Sequence, residues 1–125
     1  VGETFDERSG GHTEYVVMQQ VSAALSGISL LGAEQIAIAY EPIWVIGSGR
    51  AVALAEAERV VKVISHLLLD FYQRAVVEKN CRVLYGGSVD HTNVTDFIKA
   101  TEGDGALVGS ASLRAEEFSQ LIGVI

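Results

Sequence analysis

Three short apolar runs punctuate the chain: residues 36–40, 82–85 and 106–108. Each halts at a residue suited to a turn or to chemistry, namely Glu41-Pro42, Gly86-Gly87 and Gly109. Runs this short and bounded by turn residues have the pattern of strands buried on both faces of a parallel sheet. The segments between them carry helical spacing. Val17, Val21, Leu25 and Ile28 share one face of a helix expected over about residues 14–28, with Thr13 as its N-cap. Val60, Ile64, Leu67 and Phe71 mark the inner face of a longer helix expected over about residues 55–77. Shorter helices are expected over about residues 93–100 and 115–121. Such alternation predicts right-handed βαβ units, and in sheets of this kind function gathers at the carboxyl ends of the strands. No linker or second domain interrupts residues 1–125, which read as one domain.

Composition narrows the function. Hydrophobic residues make up 49% of the chain, enough for a core, while a net charge of −7 and a pI near 4.8 argue against nucleic acid as a partner. The longest apolar stretches, such as Leu67-Leu68-Leu69, are far too short to span a bilayer, so no membrane association is expected. A single cysteine, Cys81, permits no intrachain disulfide and reads as a buried, inert thiol in a reducing compartment, the cytoplasm. His12, His66 and His91 lack metal-ligand spacing, and Cys81 has no evident His partner, so neither a metal nor a cofactor is expected. Val1-Gly2-Glu3-Thr4 has no Met, basic region or apolar targeting core, and is expected to be interior to a longer protein.

The strand ends hold the candidate chemistry. Glu41 follows the first strand without a gap, and a carboxylate partly desolvated at the mouth of an apolar sheet is a better base. A solvated, inert strand-end glutamate also fits that position. Ile46-Gly47-Ser48-Gly49-Arg50 is a candidate lid or anion loop, since glycines let backbone N–H groups approach a phosphate; an ordinary connection with turn glycines is the alternative. Tyr85-Gly86-Gly87-Ser88 and Gly109-Ser110-Ala111-Ser112 end neighbouring strands. Such loops can pool backbone donors around one phosphate, or simply turn tightly.

Taken together, these segments acquire a specific likeness. Ala39-Tyr40-Glu41-Pro42-Ile43-Trp44-Val45-Ile46-Gly47-Ser48-Gly49-Arg50 closely resembles the signature and mobile loop of the triosephosphate isomerase family. Tyr85-Gly86-Gly87-Ser88-Val89 resembles that family's next phosphate loop. Asp104-Gly105-Ala106-Leu107-Val108-Gly109-Ser110-Ala111-Ser112-Leu113 resembles its last strand and phosphate turn. Val1-Gly2-Glu3-Thr4, with Glu7-Arg8 and Thr13, resembles the stretch after its fifth barrel strand.

The resemblance implies a C-terminal half of an α/β barrel of the (βα)8 type, with about three parallel strands and four or so helices, open rather than closed. It implies Glu41 as the base that moves a proton between adjacent carbons of dihydroxyacetone phosphate and glyceraldehyde 3-phosphate, a glycolytic and gluconeogenic step. Gly47, Ser88, Gly109 and Ser110 would hold the phosphate. Pro42, Ile43 and Trp44 would form one loop hinge and Arg50, Ala51 and Val52 the other, with Val45, Ile46, Ser48 and Gly49 between them.

Departures from the family pattern carry expectations of their own. Ala53-Leu54-Ala55 stands where the family usually has a Thr-Pro-Glu-like helix start, which removes a cap. Gly109-Ser110 stands where Gly-Gly is frequent, and this requires dihedrals that serine can adopt. A complete barrel needs about 250 residues, and the family's electrophilic histidine, lysine and asparagine belong to the other half. The chain alone is therefore expected to be inactive. An open half barrel is also expected to self-associate, as a homo-oligomer and most simply a dimer, through strand edges and its interior face. A split-enzyme half, a non-catalytic phosphate-binding half barrel and another phosphate-binding barrel enzyme are the alternatives.

Overall fold

The computed structural model describes residues 1–30 and 35–125. Three parallel strands form one sheet in the order β1 (Ile36–Tyr40), β2 (Cys81–Tyr85) and β3 (Gly105–Ala106). The register sets Ile38 against Val83 and Tyr40 against Tyr85, so these four side chains share a face. That face is buried against the helices, together with Cys81. The opposite face corrects the expectation of strands buried on both sides: Ala37 and Arg82 are exposed, and Ala39 and Leu84 half-buried. Period-two alternation is what one covered face and one open face produce. The open α/β architecture expected from the resemblance is otherwise what the chain adopts.

Among the described residues there are six α-helices rather than four or so: α1 (Phe5–Ser9), α2 (Thr13–Leu25), α3 (Leu54–Phe71), α4 (Arg74–Asn80), α5 (Val94–Thr101) and α6 (Ala115–Gly123). The unforeseen α1 begins in a capping box. The Glu7 amide donates to Thr4 Oγ1, and Glu7 Oε2 accepts from the Thr4 amide at 2.7 Å. The Thr4 amide and, at 2.8 Å, the Thr4 hydroxyl both donate to Glu7 Oε2 and hold the Glu7 carboxyl below its ordinary pKa.

α2 differs at both ends from its expected span. Thr13 is a buried residue of the first turn, not the cap; His12 takes the cap position without a side-chain bond. The helix stops at Leu25 because Gly27 turns left-handed (φ +76°), which leaves Ile28 exposed.

The expected helix over residues 55–77 is two helices. Tyr72 and Gln73 are both extended, and they turn the chain from α3 into α4, which feeds β2 back beside β1. The buried stripe of α3 is Ala57, Val60, Val61, Ile64, Leu67 and Leu68, whereas Phe71 is exposed. β3 is shorter than expected and begins earlier. Asp104 both donates its amide to the Val83 carbonyl and accepts the Val83 amide on Oδ2 (2.7 Å), using up β2's bonds below Gly105. α5 covers the sheet through Phe97, whose ring stacks on Tyr85 at 4.2 Å between centroids.

Residues 1–3 run beside β1 with hydrogen bonds in the parallel pattern. The Val1 nitrogen donates to Ala39 O (2.8 Å), Glu41 N donates to Val1 O (2.7 Å) and Ile43 N to Glu3 O (3.0 Å). The approach is so close at Gly2 that a Cβ would fall 1.9 Å from the Glu41 carbonyl oxygen. Backbone cannot give way as a side-chain tip can, so Gly2→Ala should destabilise the fold by about 1–3 kcal/mol, the usual range for overpacking. Urea unfolding measures this, and an unchanged midpoint would refute the contact.

Candidate active site

Because the strands are parallel, the segments after β1, β2 and β3 emerge at one end of the sheet. There Glu41 is half-buried, and its side chain lies across the backbone of Gly86. A Cβ on Gly86 would come 2.6 Å from Glu41 Cγ, 3.2 Å from Cδ and 3.4 Å from Leu107 Cβ. The glycine therefore lets the carboxylate lie between the ends of β1 and β2, with the β3 segment alongside. The Gly86 amide donates to the Tyr40 carbonyl and so carries the β1–β2 ladder to the foot of Glu41.

Ser88, two residues on, has a left-handed backbone (φ 55°) that non-glycine residues rarely adopt. Asn93 Nδ2 donates to its carbonyl at 3.1 Å, a fixture from the far side of the turn. Strain of this kind persists only where the surroundings over-determine it, and it concentrates at ligand sites. Gly109 and Ser110 are exposed at the end of the β3 segment. Ser110 opens a right-handed 3-10 turn, Ser110–Leu113, and needs no left-handed dihedral, so serine serves there without strain. The opening N–H groups of such a turn have no partner within it.

The candidate lid has firm ends and a free tip. Pro42, Val45 and Val52 are buried, with Ile43–Val45 wound into a 3-10 turn, while residues 46–51 are all exposed. Gly47 and Gly49 both take positive φ, at 71° and 70°. Between them Ser48 Oγ donates to Val45 O (2.8 Å) and accepts from the Arg50 amide (3.1 Å), which shapes the tip. Ala51 leads into Val52, whose amide makes a long bond to the Tyr85 hydroxyl (3.4 Å). Burial pushes the Tyr85 phenol up to about 12. It stays a neutral hydroxyl beneath the loop's second end.

Beneath the first end is a network that sequence reasoning did not find. Glu3 is fully buried and accepts from Trp44 Nε1 at 2.8 Å and from the Tyr40 hydroxyl at 3.2 Å. Burial, with Glu3 next in effect, holds the Tyr40 phenol far above its ordinary pKa, so it donates rather than ionises. Arg8 forks onto Glu56, with Nε 2.8 Å from Oε1 and Nη2 2.7 Å from Oε2, and its guanidinium lies 4.2 Å above the Trp44 ring. The Glu56 bond raises the Arg8 pKa further. No local pattern marks these partners, which lie 37 to 48 residues apart.

His12, His66 and His91 are exposed. Among the described residues, no group of three or more His, Cys, Asp or Glu is placed to hold a metal ion. Among those residues, too, no helix is long and apolar enough to cross a membrane. Cys81 is a buried free thiol whose pKa burial pushes up, which makes it unreactive.

A carboxylate and two glycine-bearing turns at the carboxyl end of an open parallel βα sheet define a partial barrel of the (βα)8 class. The family model described as triosephosphate isomerase matches residues 1–125, and the chain belongs to that family. The triosephosphate isomerase of Dictyoglomus turgidum is 41% identical over 122 residues, which cover 98% of this chain and 49% of the relative. That of Carboxydothermus hydrogenoformans is 42% identical, over 98% of this chain and 48% of the relative. That of Borrelia garinii is 43% identical with the same coverage. The chain thus spans about half the length of the curated relatives it matches.

Proposed function

We propose that this chain is the half of a triosephosphate isomerase that carries the base and grips the phosphate, and that it works when an N-terminal half completes the barrel. The observation that carries this reading is the Glu41 side chain lying on Gly86, at the strand ends where both phosphate turns emerge. Glu41 takes a proton from one carbon of dihydroxyacetone phosphate and returns it to the adjacent carbon, giving glyceraldehyde 3-phosphate. Backbone donors of Ser88, Gly109 and Ser110 hold the phosphate, and the Gly47 amide joins them when the loop folds over. Phosphate binding energy closes the loop, water leaves, and the carboxylate gains strength as a base. The chain alone lacks the electrophile that would polarise the carbonyl, so its turnover is negligible without the other half. The setting is the cytoplasm, where the free Cys81 stays reduced.

Mixing the chain with the N-terminal half of a relative and assaying isomerisation tests this reading. Activity in the mixture and none in either half supports it. Phosphoglycolate titration gives a second readout through Trp44, the only tryptophan in the sequence. No activity in the mixture together with a silent titration would sink the proposal.

Alone, the chain is proposed to self-associate. Between α2 and β1 lies a groove of about 400 Å³ walled by Val21, Leu25, Ile28, Ile36 and Ile38, and α6 exposes Ile122. Light scattering after size exclusion should give a dimer at micromolar concentrations. A monomer throughout that range would refute the association.

A further inference from the structure

The departure at residues 53–55 leaves α3 without a local anchor: its cap position is Ala53, which offers no side-chain bond. The start of α3 is also the end of the candidate lid. What fixes it comes from outside, through Glu56 in the first turn, held by the two-bond fork from Arg8. The same guanidinium covers the ring of Trp44, in the turn where the lid begins. A guanidinium can do both at once because its edge forks onto a carboxylate while its face stacks on an aromatic ring; an ammonium cannot. Phe5, also on α1, closes on the Trp44 ring edge-on at 6.4 Å. α1 itself is secured by its capping box, so Arg8 projects from a fixed platform.

We infer that Arg8 is a positioning residue that joins the two hinges of the lid into one unit, so that a displacement at the start of α3 is felt at Trp44 and the lid moves as a rigid tip on coupled ends. The inference rests on reading residues 42–52 as a closing loop, but its test does not depend on catalysis.

Glu56→Gln removes the carboxylate partner of Arg8 and leaves the stacked and hydrogen-bonded partners of Trp44 unaltered. Coupled hinges predict that this substitution changes Trp44 emission. They also predict that hydrogen exchange quickens about tenfold at both the Val45 and Val52 amides, with the core Val83 amide unchanged. Arg8→Lys, which keeps the charge but loses fork and stack, should do the same and provides the measurement if Glu56→Gln unfolds. Arg59→Gln, which breaks the neighbouring 3.1 Å pair with Glu14, should leave Trp44 and both hinge amides as they are. Exchange that quickens only at Val52, with Trp44 emission unmoved, would overturn the inference, as would equal effects from Arg59→Gln. Coupled hinges in a chain whose Trp44 ignores phosphoglycolate would instead count against the isomerase reading and leave the clamp standing.

Discussion

Glu41→Gln in the completed barrel should lower kcat about 10³-fold with little change in KM, within the range that general base catalysis contributes. Glutamine keeps the size of the side chain, so it should still lie across Gly86 and leave the phosphate turns undisturbed. What it loses is the ability to accept a proton from carbon. Three decades in rate correspond to about 4 kcal/mol of transition-state stabilisation, a loss no change in packing at a half-buried position would imitate with KM intact. Steady-state kinetics of the reassembled enzyme decide it. A variant that retains kcat within about tenfold of the parent would remove Glu41 from the role of base.

The parts of this site that could be read from sequence are those fixed by local rules. The run Ile36–Tyr40 has the extent expected of it because turn residues bound it and its β-branched and aromatic members suit a pleat. Parallel pairing then obliges Glu41, Gly86 and the Gly109 turn to share one end of the sheet, whatever the details of packing. The break at Tyr72-Gln73 was illegible because neither residue is a helix breaker; the need to bring β2 alongside β1 ends α3, and that is a demand of the whole fold. β3 stops short because its partner does: the Leu107 amide takes the carbonyl of Tyr85, the last residue of β2, an endpoint set by pairing that spacing cannot announce. By contrast, Thr4-x-x-Glu7 was a visible start signal for α1. The buried Glu3 shows the limit most clearly: a carboxylate near the first residue reads as solvated, and only the convergence of Tyr40 and Trp44 on it makes it a foundation of the loop.

The open face of the sheet has a consistent chemistry. Ala37 and Ala39 leave room above β1, while Arg82, exposed on the same side, turns its guanidinium back to the carbonyls of Cys81 (2.6 Å) and Glu78 (3.1 Å). Small side chains are compatible with later coverage by further barrel strands, since they leave no large apolar surface above β1, and Arg82 already has its Nη1 paired with two carbonyls. The association proposed for the isolated chain therefore draws more on the α2–β1 groove than on the face itself.

Gly86→Ala tests whether the base is placed by that one missing methyl. The new Cβ would stand 2.6 Å from Glu41 Cγ, a contact that real structures do not tolerate, with Leu107 blocking retreat at 3.4 Å. Cγ is close to the Glu41 backbone, which the Val1 carbonyl holds at 2.7 Å, so the side chain has to rotate away rather than bend at its tip. Displacing a reacting group by about 1 Å costs on the order of 10²-fold in rate, and kcat of the completed barrel should fall by that amount. The atoms nearest the new Cβ belong to Glu41 and Leu107, not to Ser88 or Gly109, the residues proposed to hold the phosphate, so KM should change by less than about threefold, the pattern of a loss confined to the transition state. A double variant with Glu41→Gln provides the decisive comparison. If Gly86→Ala acts only by moving the carboxylate, it should add little once the carboxylate is gone, and a full further 10²-fold loss would assign the glycine to something other than the base.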